Sequence, residues 1–154
     1  MSSEMLQHPL SGLRLVEAME PGHVEMLNSL ARETAFEKDE IIFTEGGRHN
    51  RFYVLLSGKV ALEVRARDRV FRVQTVQEGG ELGWSSLLAD ERKHFQARAL
   101  EPVRALAFEG EELQKACRTD PSFGFALVSR VLRVVSSRLE ATRLRLLDIY
   151  AARD

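Results

Sequence analysis

The residues best suited to chemistry lie between Gly79 and Ala99, which read Gly-Gly-Glu-Leu-Gly-Trp-Ser-Ser-Leu-Leu-Ala-Asp-Glu-Arg-Lys-His-Phe-Gln-Ala-Arg-Ala. Paired glycines let the backbone approach a ligand closely. Ser85 and Ser86 then suit the start of a short helix, because a hydroxyl there accepts from the first free amides. Free amides at a helix start attract anions. Arg92, Lys93 and His94 follow about one short helix later and supply positive charge. Together these describe a cup of phosphate size, with Gly83, Trp84, Ser85, Ser86, Lys93 and His94 as its candidate residues. Trp84 stands among Leu82, Leu87 and Leu88 and reads first as a core residue. The sharper reading is that its indole occupies the cup and holds the domain in one state without ligand. His94 alone reads first as a surface or hydrogen-bonded residue.

Nothing else in the chain gathers reactive groups. His8, His23, His49 and His94 are scattered, and the single cysteine, Cys117, has no partner at metal-ligand spacing. The Ser57-Gly58 and Ser85-Ser86 pairs are turn and cap residues without a nucleophile-elbow pattern. No catalytic site and no metal site are expected, so the chain does not read as an enzyme.

The elements that must position the cup are mostly strands. Ile41 to Phe43, Phe52 to Leu56, Val60 to Val64, Val70 to Val76, Phe95 to Leu100 and Val103 to Phe108 are β-branched or aromatic runs closed by turn residues. Many short strands with frequent turns predict an antiparallel roll or barrel. Leu10 to Met19 reads as a weak short helix, and Pro21 opens a second one with Val24, Leu27, Leu30 and Ala31 on one face. Glu111 to Arg118 is a short helix, and Asp120-Pro121 restarts the chain into a pattern running to about Tyr150. The fold class is therefore mainly β with flanking helices: a domain over residues 10–120 and a C-terminal helix over 121–154.

That helix carries a heptad seam. Phe125, Val128, Leu132, Val135, Leu139, Thr142, Leu146 and Ile149 step by three and four. A neighbouring stripe of Leu127, Val131 and Val134 can pack back on the roll. The plainer alternative is one broad core-facing face. The seam outlasts the second stripe, which turns to Arg138, so a homodimer through Leu132, Val135, Leu139, Thr142, Leu146 and Ile149 is expected.

These pieces occur in a familiar order. Ile41-Ile42-Phe43-Thr44-Glu45-Gly46, Phe52-Tyr53-Val54-Leu55-Leu56-Ser57-Gly58-Lys59-Val60, the glycine turn and Ala97-Arg98-Ala99 resemble the cyclic-nucleotide-binding domain of the catabolite activator family and the protein kinase A regulatory subunits. The similarity covers roughly Leu10 to Ala116. It implies a jelly-roll β-barrel with flanking helices, a ligand cup over the short helix, and the long helix in the place of the family's C-helix. In such domains a glutamate after the cup glycine holds the ribose and an arginine holds the cyclic phosphate. Two registers of the resemblance are open. One reads Gly80-Glu81-Leu82-Gly83 as the family's Gly-Glu-Leu-Gly; Glu81 is then the sugar ligand and Arg92 a phosphate candidate, but the lid is lengthened. The other runs to Ala97-Arg98-Ala99 without a gap; it places Trp84 at the ribose glutamate and Lys93 at the phosphate arginine. The second explains more residues with one register.

Its consequence is chemical. An indole offers one donor where a carboxylate accepts, and lysine is a point charge where arginine is a planar fork. Each lost charge-assisted bond costs about 1.5–3 kcal/mol, so two such losses weaken binding by roughly two to four orders of magnitude. Cyclic AMP or cyclic GMP is a conceivable ligand but not an expected one.

With 154 residues and net charge −1, nothing global draws the chain to nucleic acid or an acidic membrane. Arg130, Arg133, Arg138, Arg143 and Arg145 make the last helix basic, but Glu140 and Asp148 interrupt it, the usual mark of a solvated face. No recognition helix follows, so sequence-specific DNA reading is not expected. One cysteine, no apolar run of membrane length and no signal pattern predict a soluble, cytoplasmic protein. The reading is a non-enzymatic regulatory or signalling module with a degenerate cup, acting through an unidentified protein partner. The alternative is a genuine cyclic-nucleotide sensor that switches a partner through the C-helix.

Overall fold

Phe52-Tyr53-Val54-Leu55 is apolar without a break because this segment is covered on both sides. The computed structural model describes residue 10 and residues 12–44, 50–87 and 95–152. In it, strand β3 (Arg51–Ser57) is an inner strand of a four-stranded antiparallel sheet, ordered β1 (Arg32–Phe36), β8 (Val103–Glu109), β3, β6 (Glu81–Leu82). A second four-stranded antiparallel sheet has the order β2 (Ile41–Phe43), β7 (Gln96–Ala99), β4 (Val60–Ala66), β5 (Arg69–Val76). Side chains alternate across a strand. Tyr53 and Leu55 therefore meet Leu62, Val76, Leu82 and Ala97 between the sheets, while Phe52 and Val54 meet Leu27, Phe108, Phe123 and Leu127 under the helices. The roll thus has two cores, one on each face of the β3 sheet.

The turns follow their chemistry. β4 and β5 form a hairpin paired from Val60↔Val76 to Ala66↔Arg69. Its turn residues Arg67 and Asp68 both take left-handed backbone (φ 53° and 64°), as a two-residue turn matching strand twist requires. Gly58, in the turn before β4, has φ 95°, and a β-carbon there would lie 2.5 Å from the Pro102 carbonyl oxygen. Only glycine fits that approach.

Two expectations need correction. No continuous helix runs from Leu10 to Met19; among the described residues from Gly12 to Met19, only Arg14–Val16 forms a 3-10 turn. Gly12 and Ala18 take left-handed φ values of 88° and 60°, which break helical continuity on either side while Leu15 and Val16 are buried. β1 was not expected, because Arg-Glu-Thr-Ala-Phe has little apolar alternation. It is an edge strand, held by its ladder to β8 and by the Arg104–Glu33 ion pair.

Helix α1 (Pro21–Leu30) starts with proline in its first turn, and α2 (Gly110–Thr119) packs on α3 (Pro121–Ala151). Asp120 caps α3: its Oδ1 accepts from the Phe123 amide at 3.2 Å. Phe123, Leu127 and Val131 bury one stripe of α3 in the helical core. The seam points elsewhere. Phe125, Leu132 and Leu139 are 79%, 65% and 69% exposed, and Leu146 and Ile149 are also exposed, whereas Val135 packs on the core. The two stripes are therefore separate faces, not one broad core-facing face. No described helix is long and apolar enough to cross a membrane.

Candidate functional site

The cup is built from the turn that follows β5. The Gly79 amide donates to the Leu55 carbonyl at 2.8 Å and the Leu55 amide to the Gly80 carbonyl at 2.9 Å, which fastens this turn to β3. β6 then pairs with β3 at Tyr53↔Leu82 and Val54↔Glu81. Gly83 takes φ 77°, a backbone that L side chains rarely adopt, and turns the chain into the 3-10 helix Trp84–Leu87. Leu82 points between the sheets, so Glu81, its neighbour on the strand, faces the other way.

The serines differ from expectation. The short helix opens at Trp84, and the Ser86 amide donates to the Gly83 carbonyl at 2.9 Å, so both serines lie within the turn and do not cap it. Both are buried; Ser86 Oγ has no hydrogen-bond partner among the described residues, and the Ser86 carbonyl accepts from Gln114 Nε2 at 2.8 Å. Lys93, His94 and Arg92 lie outside the described residues.

Among the described residues, the space beside Gly83, Trp84 and Ser85 is small. Gly83, Trp84 and Ser85 border a cavity of about 10 Å³ together with Phe43 of β2, Leu62 of β4, Phe95 and Arg138 of α3. Small-molecule sites usually measure about 300–1,000 Å³. The space here suits at most one water, for which about 10–15 Å³ is the threshold. Trp84 is half-buried and packs against the helical core at the cup's edge.

Arg138 closes this place from outside. Its Nη2 donates to the Glu81 carbonyl oxygen, and Arg145 Nη1 donates to the Val73 carbonyl at 2.6 Å. These two side chains strap α3 to the roll, which corrects the reading of the helix's arginines as simply solvated. Arg143, by contrast, is exposed and pairs with Glu140 at 3.6 Å. Burial pulls the Arg138 guanidinium below its ordinary pKa, and the Glu81 charge opposes that.

Glu81 does not line the cup. Its carboxyl faces a second, larger cavity of about 750 Å³ outside the roll, between the 3-10 turn, the β5–β6 connection and α3. Arg14, Arg130, Arg133 and Arg138 stand around it. Burial pushes the Glu81 carboxyl above the usual carboxylate range, with Arg138 and Arg14 pulling it back. This cavity was missed in the sequence. Its trace is Arg130, Arg133 and Arg138 at helical spacing on one face.

The Ala97-Arg98-Ala99 segment serves structure. Arg98 Nη2 donates to Glu63 Oε2 at 2.7 Å and Gln96 Nε2 to Glu63 Oε1 at 3.1 Å, across paired strands β7 and β4. The Arg98 hydrogen bond holds the Glu63 carboxyl below its usual range despite its burial. Cys117 is half-buried, and burial raises its thiol pKa, away from the reactive thiolate. Among the described residues no three His, Cys, Asp or Glu side chains gather as a metal site would need.

Known proteins share this framework. A family model described as "Cyclic nucleotide-binding domain" matches residues 33–120. The CRP-like cAMP-activated global transcriptional regulator of Mycobacterium tuberculosis is 24% identical over 136 residues, 88% of this chain and 59% of that protein. The chain thus spans little more than half of that relative's length. A crystal structure of a cyclic nucleotide-binding domain from Methylobacillus flagellatus superposes with TM-score 0.81 at 18% identity, covering 95% of this chain and 83% of that one. The regulatory subunit of a cAMP-independent protein kinase A from Trypanosoma brucei gives TM-score 0.76 at 16% identity, over 94% of this chain and 51% of that one. At these identities the two structures establish the fold alone: a jelly roll with a long C-terminal helix. The family model spans more than half of the sequence, and the chain belongs to the cyclic nucleotide-binding domain family.

Proposed function

We propose that this protein is a non-enzymatic regulatory module whose cup is filled by its own side chains. On this reading it does not hold cyclic AMP or cyclic GMP at signalling concentrations and acts through protein contacts. The observation that carries the reading is the cavity of about 10 Å³ among Phe43, Leu62, Trp84, Ser85 and Phe95. A nucleotide would have to displace at least one aromatic side chain from packed surroundings, and Trp84 brings no carboxylate to receive a sugar hydroxyl. The fold is compatible with such a role, since the Trypanosoma brucei structure is named for a cAMP-independent kinase.

The exposed seam of α3 is the contact surface in this account. Leu132, Leu139, Leu146 and Ile149 lie along one line, and a second copy of the helix is the occupant that a heptad spacing fits. Thr142 completes the stripe and Val135 anchors it to the roll. A cytoplasmic setting suits the single cysteine, which is a half-buried thiol.

Fluorescence of Trp84, the single tryptophan, tests the cup. Titration with cyclic AMP or cyclic GMP gives no saturable change on this reading. A saturable response in the low micromolar range would instead favour a cyclic-nucleotide sensor that switches its partner through α3.

A further inference from the structure

The cavity of about 750 Å³ beneath α3 has the size of a small-molecule site, and its walls are chemically biased. Arg130 and Arg133 are one helical turn apart on α3 and face it together with Arg138, while Arg14 enters from the 3-10 turn. None of the four forms an ion pair with a described carboxylate, although Glu17 and Glu78 border the same space. Four arginines against three carboxylates, Glu17, Glu78 and Glu81, leave the lining net positive, which favours an anion in the cleft. Arginine presents a planar fork of donors that matches phosphoryl oxygens two at a time.

Glu81 adds a second requirement. Its residue is only 8% exposed, it faces this cavity, and its carboxyl takes no hydrogen bond from another described side chain. Ionised, it can only accept, so a ligand group beside it must donate. Leu15, Val76 and Val134 add apolar surface to the same lining.

We propose that this cleft is a binding site for a phosphorylated small molecule of mononucleotide size, its phosphoryl group held by Arg130 and Arg133 and a hydroxyl or amino group donating to Glu81. The site lies outside the roll and is separate from the filled cup, so it goes beyond the reading above and does not depend on it. Arg138 borders both spaces and donates to the Glu81 carbonyl, which couples the cleft to the surroundings of Trp84.

Calorimetry on the full chain with three probes, ribose 5-phosphate, AMP and inorganic phosphate, tests the proposal. Ribose 5-phosphate and AMP should bind saturably, and inorganic phosphate at least about tenfold more weakly because it leaves Glu81 unused. Arg130→Gln with Arg133→Gln should weaken ribose 5-phosphate by at least about 100-fold, two charge-assisted bonds being lost. A circular dichroism melt checks that this double variant folds. Glu81→Gln should abolish the preference for ribose 5-phosphate over phosphate. Arg143→Gln, on the same helix but off the cleft, should leave every affinity unchanged. The proposal is overturned if no probe binds at about 10 mM, a level weaker than any specific site. It is equally overturned if Arg143→Gln weakens binding as much as the cleft variants do, since attraction to the basic helix at large would then suffice. Cyclic AMP binding that survives the double variant would contradict the filled cup while leaving this cleft to be judged by its own probes.

Discussion

Replacing Arg138 by leucine should free the far half of α3 from the roll. Beyond Val135 the helix is held to the roll by the Arg138 bond to the Glu81 carbonyl and the Arg145 bond to the Val73 carbonyl, and residues 139–151 are exposed. A hydrogen bond from a charged donor contributes about 1.5–3 kcal/mol. Burying the guanidinium works against that gain, as its lowered pKa indicates, so the net loss belongs at the lower end, about 1.5 kcal/mol. Leucine keeps the apolar part of the contact and removes the donor. Local opening of residues 139–151 should then become about tenfold more frequent. Amide hydrogen exchange reads this directly, at one protein concentration so that self-association contributes equally. Arg143→Leu, which loses only an exposed pair with Glu140, should change exchange little. Unchanged exchange in Arg138→Leu, or an equal change in Arg143→Leu, would refute the strap.

Other consequences follow from the same geometry. Glu63→Gln should lower the thermal midpoint at neutral pH by about 2–4 °C, for a bond of about 1 kcal/mol. Because Arg98 depresses the Glu63 pKa, wild-type stability from this pair is complete above the ordinary carboxylate range and is lost as pH falls through the depressed value; thermal melts of the variant in acid should lack that loss. Glu81 has the opposite sign: its carboxyl is raised by burial, so it favours the folded state at low pH and costs stability as pH rises through the raised value. Glu81→Gln should therefore be relatively more stable than wild type at neutral pH than in acid, read by the same melts. Leu132→Lys with Leu139→Lys should abolish self-association in sedimentation equilibrium without unfolding the domain, because both side chains are exposed in the single chain.

The strands of the roll were legible where apolar runs stood between turn residues, as in Phe52 to Leu56 and Val103 to Phe108. Edge elements were not. β1 is polar and takes its shape from pairing with β8, and β6 is two residues long, so neither carries a periodic signal. The cup was legible as a glycine turn and a short helix, and Trp84 stood out as its unusual member. Its volume was not, because Phe43, Leu62 and Phe95 come from separate strands and connections and only the fold brings them to Trp84. The arginines of α3 misled for a related reason. Spacing places Arg130, Arg133 and Arg138 on one face, but whether that face meets water or the roll depends on Glu81 and Arg14 from distant parts of the chain.

Isothermal titration calorimetry of the purified chain with cyclic AMP and with cyclic GMP is the most direct test of the filled cup. The account predicts no saturable heat for either nucleotide up to about 1 mM, a free energy no better than about −4 kcal/mol. A dissociation constant of a few micromolar, about −8 kcal/mol, would mean that Trp84 and its aromatic neighbours yield to the ligand, and the account would be wrong.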